Sequence, residues 1–108
     1  MKRGDFVTVA MQGDFGKPRP ALVIQSDLFS DRGTVTILPV TSDLMDTPSV
    51  RVTVMPNPDN GLMKPSQVMV DKAVTMLRSK CGAAFGTINP HVLKEVERRL
   101  AIFLGIAK

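Results

Sequence analysis

Short apolar runs that alternate with polar residues, each closed off by proline or glycine, constrain this chain more than any other feature. Alternation at every second residue marks a half-buried strand, whereas a helix repeats its apolar positions every three to four residues. Asp5-Phe6-Val7-Thr8-Val9-Ala10 reads as a first strand, and Met11 to Pro18, with Gly13 and Gly16, as a loop. Ala21-Leu22-Val23-Ile24-Gln25 is apolar and β-branched, which predicts a buried central strand. Pro20 is expected only at its start, because proline donates no ladder hydrogen bond. Ser26 to Gly33 is polar and fits a loop or one helical turn. Further strands are predicted over Thr34–Val40, Ser49–Met55 and Lys64–Val70, separated by a polar loop at Thr41–Pro48 and a strong turn at Pro56–Gly61. Lys72–Leu77 fits a short strand or one helical turn, and Phe85–Ile88 a last short strand.

The period changes once. Asn89 can cap a helix whose first position is Pro90. Val92, Leu93, Val96, Leu100, Phe103 and Leu104 then fall on one stripe, Glu95 and Arg99 pair on the other side, and Gly105 ends the run. The pattern therefore predicts a mainly β fold, an SH3-like small barrel capped by a C-terminal helix, as a single domain over residues 1–108.

Composition narrows the function. With 108 residues and 44% apolar content the core is modest, so a second copy burying more surface is expected. Cys81 is the one cysteine and His91 the one histidine, which removes cysteine zinc sites, histidine-pair metal sites and two-histidine ribonuclease chemistry within one chain. The basic start lacks an apolar secretory region, and no stretch of about 18 apolar residues occurs, so a cytoplasmic protein with no membrane span is expected. A net charge of +4 suits a polyanion: RNA, DNA or an acidic peptide. Aromatic residues are 5% with no Trp or Tyr, which argues against strong base-stacking platforms: Phe6, Phe15, Phe29, Phe85 and Phe103 are the rings that could stack, and several of them must be core.

Three segments carry candidate chemistry. Lys17-Pro18-Arg19-Pro20 holds an arginine between two prolines, in extended backbone beside a buried strand. Its fork of donors matches phosphate oxygens, and it equally reads as a surface arginine closing a strand end. Pro39-Val40-Thr41-Ser42-Asp43 sets two hydroxyls and a carboxylate after a core strand, either a site or a turn bonded to its own backbone. Gln67 to Lys72 puts Asp71 at another strand end, as a catalytic carboxylate or as a partner for Lys72. His91 reads as a helix-start histidine and Cys81 as an inert buried thiol.

Taken in order, Arg3-Gly4-Asp5-Phe6-Val7, Lys17-Pro18-Arg19-Pro20-Ala21-Leu22-Val23-Ile24 and Leu38-Pro39-Val40-Thr41-Ser42 resemble the MazF/PemK (Kid) toxin family. Asn89 onward is similar to that family's closing helix. The resemblance implies a homodimeric toxin of a type II toxin–antitoxin module that cuts single-stranded RNA without a metal or other cofactor. It implies a cognate antitoxin with an acidic tail as partner, and operator DNA bound only through that antitoxin. It assigns Arg19 and Thr41 as catalytic residues, with Asp71 from the PemK branch and Met69 where that branch has an arginine. Lys17, Ser42 and Gln67 are then expected to bind substrate.

In such a reaction the ribose 2′-OH attacks its own phosphate. Arg19 would stabilise the developing charge, Thr41 and Ser42 would hold phosphate oxygens, and Asp71 would be the base. Two other readings compete. A CcdB-like gyrase poison shares the fold, but that branch relies on a C-terminal Trp, and this chain ends Leu104-Gly105-Ile106-Ala107-Lys108. A nucleic-acid-binding barrel without full catalysis is the other.

Overall fold

The computed structural model describes residues 1–10 and 17–108. Most of the predicted first loop, with Met11 and Phe15, lies outside the described residues. Among the described residues, seven strands and one α-helix follow in order: β1 (Asp5–Ala10), β2 (Pro18–Val23), β3 (Thr34–Thr41), β4 (Arg51–Val54), β5 (Ser66–Met69), β6 (Val74–Leu77), β7 (Cys81–Thr87) and α1 (Pro90–Phe103). All pairings are antiparallel. The sheet runs β4-β5-β3-β2-β1-β7, with β6 also paired to β3. The fold is therefore mainly β with one C-terminal helix, and the strand path is open rather than closed on itself.

β3 organises the sheet. One edge meets β2, while the other is divided between β6, along Thr34–Ile37, and β5, at Val40 and Thr41. A one-turn helix over Val70–Lys72 carries the chain between those two partners. This division explains why the segment after Val70 has no single period.

Alternation buries both faces. Phe6, Leu22, Leu38 and Val40 point to one side, where β4, β5 and Val96 of α1 complete a core. Val7, Val9, Ala21, Val23, Val35 and Ile37 point to the other, packed with Val74, Met76 and Cys81. A sheet covered on both sides reads as near-continuous apolar strands, which is what Ala21–Ile24 shows.

The structure corrects three expectations. β2 starts at Pro18, so Pro18 and Pro20 lie inside a strand rather than ahead of it. They are tolerated because this half of β2 pairs with β1 alone, and an edge segment does not need every N–H. β7 begins at Cys81 and is longer than the predicted Phe85–Ile88. The helix stripe also stops short of its predicted end. Val92, Leu93 and Leu100 pack beside Val96, but Phe103 and Leu104 are 51% and 57% exposed.

The helix ends are those expected. The Asn89 side chain accepts from the His91 N–H at 2.8 Å, with Pro90 in the first turn. Gly105 has φ +76°, and the Ile106 N–H reaches back to the Ala101 carbonyl at 2.8 Å.

Candidate active-site cleft

A pair of prolines shapes the site. β2 and β3 pair through Val23 with Ile37, Leu22 with Leu38 and Ala21 with Pro39, and the ladder stops there. Pro39 has no N–H to continue it, and neither has Pro20 on the facing strand. Continuing the same register would set Arg19 level with Thr41. Beyond the last pair lies a cavity of about 540 Å³, lined from these two strands by Arg19, Pro20, Pro39, Val40 and Thr41, and then by Ser42 and Asp43. Ser66, Met69 and Lys72 line its other side.

The turn after β3 is held from within. The Asp43 N–H donates to Thr41 Oγ1 at 3.0 Å, which leaves the hydroxyl proton of Thr41 to donate elsewhere. Gln67, opposite Thr41 in the β3–β5 pairing, is 7% exposed. Its Nε2 donates to the Met45 carbonyl at 3.0 Å and to Thr53 Oγ1 at 3.3 Å. Its Oε1 accepts from the Met45 N–H at 3.0 Å and from Arg51 Nη1 at 2.9 Å. Arg51 Nη1 also donates to the Asp43 carbonyl at 3.0 Å. Gln67, expected to contact substrate, is not among the residues that line the cavity, and its amide hydrogen-bonds to the loop that carries Ser42 and Asp43.

Asp71, expected as the catalytic carboxylate, also lies off the lining; Lys72 is on it. The cause is the helical turn at Val70–Lys72, where about three residues complete one turn and successive side chains point in different directions. Val70 enters the core, and Lys72 faces the cleft. Asp71 has a buried Oδ1 with no hydrogen-bond partner among the described residues, and its Oδ2 lies 3.7 Å from Lys72 Nζ. In the sequence Lys72 reads only as a salt-bridge partner of Asp71, because no single period after Val70 says which way its side chain points. Lys17 precedes β2, is exposed, and lines no part of this cavity.

Of the remaining candidates, His91 stands exposed at the start of α1, away from the cleft lining. Cys81 is partly buried. Burial pushes its thiol above the usual cysteine value against the pull of the Arg78 charge, and its Sγ lies 3.8 Å from the Leu77 carbonyl. Among the described residues no three His, Cys, Asp or Glu side chains gather as a metal site. Among the described residues the cleft offers two cationic side chains, three hydroxyls (Thr41, Ser42 and Ser66) and one carboxylate, Asp43. Such a set holds and polarises a phosphate group.

The fold is shared with small toxin proteins. A solved structure described as an endoribonuclease in complex with its cognate antitoxin, from mycobacterial species, superposes with a TM-score of 0.82 at 19% identity, covering 100% of this chain and 98% of that one. A MazE–MazF structure from Deinococcus radiodurans superposes with a TM-score of 0.79 at 27% identity, covering 99% and 97%. Sequence narrows the class to a family. The family model described as PemK-like, MazF-like toxin of type II toxin–antitoxin system matches residues 2–104, and the chain belongs to that family. A Mycolicibacterium smegmatis protein named "Probable endoribonuclease MazF" is 40% identical over 108 residues, 99% of each chain.

Proposed function

We propose that this chain is the toxin of a type II toxin–antitoxin pair and works as an endoribonuclease that cuts single-stranded RNA without a metal. The observation that carries the reading is the meeting of Arg19 and Lys72 with Thr41 and Ser42 around one cavity.

The chemistry follows from those groups. The 2′-oxygen attacks the adjacent phosphorus as its proton leaves, the bond from phosphorus to the 5′-oxygen breaks, and that oxygen takes up a proton. The products are a 2′,3′-cyclic phosphate and a 5′-hydroxyl. Arg19 offers a planar fork of donors to the phosphate oxygens as charge develops on them. Lys72 adds a point charge from the opposite wall. Thr41 and Ser42 donate hydroxyl protons that hold the phosphate in line. Asp43 is the carboxylate in reach of the cavity and takes the role of base that the sequence suggested for Asp71.

The molecule is proposed to be one domain over residues 1–108 that works as a cytoplasmic homodimer. Its net charge of +4 complements an acidic antitoxin tail, and operator DNA would be bound only through that antitoxin. No helix among the described residues is long and apolar enough to cross a membrane.

The test is incubation of the purified protein with a long, sequence-diverse single-stranded RNA in EDTA, beside Arg19→Ala and Thr41→Ala. Discrete cuts by the wild type that both variants lose are the expected result. Uncut RNA would sink the reading and turn attention to gyrase inhibition.

A further inference from the structure

A shallow depression of about 420 Å³ adjoins the cleft and shares Pro20, Ser42 and Ser66 with it. Its walls are apolar: Pro18, Leu62, Met63 and Phe85. We propose that it seats the base of a nucleotide next to the cleaved phosphate, and so sets part of the RNA sequence preference. The proposal rests on the RNA-cleavage reading of the neighbouring cleft.

Three observations carry it. The first is continuity. A base is tethered to its phosphate through one sugar, so a base site must open onto the phosphate cleft, and the shared Ser42 and Ser66 make that opening.

The second is chemistry. A nucleobase has apolar faces and polar edges, and stacks on aromatic or apolar side chains. The depression combines the Phe85 ring and the Met63 thioether with the Thr8 and Ser66 hydroxyls and Lys64. Its volume lies within the roughly 300–1,000 Å³ of small-ligand sites.

The third is pre-organisation. Asn60 is fully buried (0% exposed). Its Oδ1 accepts from the Asn57 and Leu62 N–H groups at 3.2 and 3.0 Å, and its Nδ2 donates to the Met55 carbonyl at 2.9 Å. These bonds fix the loop that presents Leu62 and Met63. Gly61 sits at φ +67° against Phe85, where a Cβ would meet the Phe85 carbonyl and come within 2.8 Å of its ring. The Phe85 ring itself stacks on Phe6, with centroids 6.2 Å apart. The aromatic wall is therefore held before any ligand arrives, which lowers the ordering cost of binding.

The experiment uses a short RNA containing one mapped cut site. Single abasic riboses replace the nucleotide on either side of the cut, and kcat/KM is measured for wild type, Met63→Ala and Phe85→Leu. Met63 is 92% exposed, so its truncation leaves the fold intact, and circular dichroism checks Phe85→Leu. For the wild type, one abasic substitution is expected to lower kcat/KM roughly 5- to 150-fold, the range of a lost base stack. Met63→Ala is expected to lose activity on the intact RNA and to lose less than the wild type on that abasic RNA. Equal wild-type rates on intact and both abasic substrates overturn the proposal and leave the depression to another occupant, such as an antitoxin side chain. A wild type that cuts no RNA at all overturns the underlying reading, and the proposal with it.

Discussion

Arg51 Nη1 donates to Gln67 Oε1 at 2.9 Å and to the Asp43 carbonyl at 3.0 Å, tying β4 and β5 to the loop that carries the cleft hydroxyl and carboxylate. The same Gln67 amide holds both backbone groups of Met45. Replacing it with leucine leaves those partners unmet in a part-buried setting, at a cost of about 1–3 kcal/mol. Gln67→Leu is expected to lower the melting temperature and to lower kcat more than KM, because the loop and not the RNA contact is lost. Gln67→Glu, which keeps the acceptor, is expected to fall between. A change confined to KM would return Gln67 to substrate binding.

Arg19 faces the cavity from β2 and Thr41 from β3. Arg19→Ala is expected to slow RNA cleavage by ~10²–10³, the usual effect of removing one pre-organised donor from developing charge. Arg19→Lys keeps the charge but loses the fork, and should recover only part of the rate. Thr41→Val keeps the shape and removes the hydroxyl, and is expected to lower kcat with unchanged circular dichroism.

Lys72 and Asp71 are neighbours with different orientations. Lys72→Ala is expected to weaken RNA binding and to flatten its salt dependence by about 0.7 in the log–log slope, the value for one phosphate contact on a single strand. Asp71→Asn should leave the cleavage rate within a few-fold of wild type. Abolished cleavage in Asp71→Asn beside near-normal Lys72→Ala would reverse the assignment.

On the helix, Glu95 Oε1 lies 2.7 Å from both Arg98 and Arg99. These bonds, Arg98's first, hold its carboxyl down from 4.5 to about 2. A depressed carboxylate stabilises the fold above its unfolded value, and that contribution fades as pH falls through the folded one. Melting temperatures of wild type and Glu95→Gln are therefore expected to differ above about pH 4.5 and to converge as pH falls to about 2. The group is exposed, so the gap should shrink in high salt.

Much of the architecture follows from local pattern. β1 ends where Ala10 gives way to glycine-containing sequence, and α1 runs from its Asn89 cap to the turn at Gly105, because caps, prolines and alternation act through neighbouring residues. Arg19 and Thr41 are different: local pattern leaves each open to a bland reading, and only the family resemblance of the segments around them pairs them as site residues.

Sequence pattern alone specifies the helix and most of the strands, and the family resemblance brings out Arg19, Thr41 and Ser42, all three of which line the cleft. Tertiary structure decided the rest. The end of the β2–β3 ladder at Pro39 opens the cavity, the turn at Val70–Lys72 presents Lys72 in place of Asp71, and the burial of Gln67 makes it a clamp. Each depends on which distant strand lies alongside. Pairing across the sheet is a long-range choice, whereas periodicity reports only on the chain's immediate neighbours.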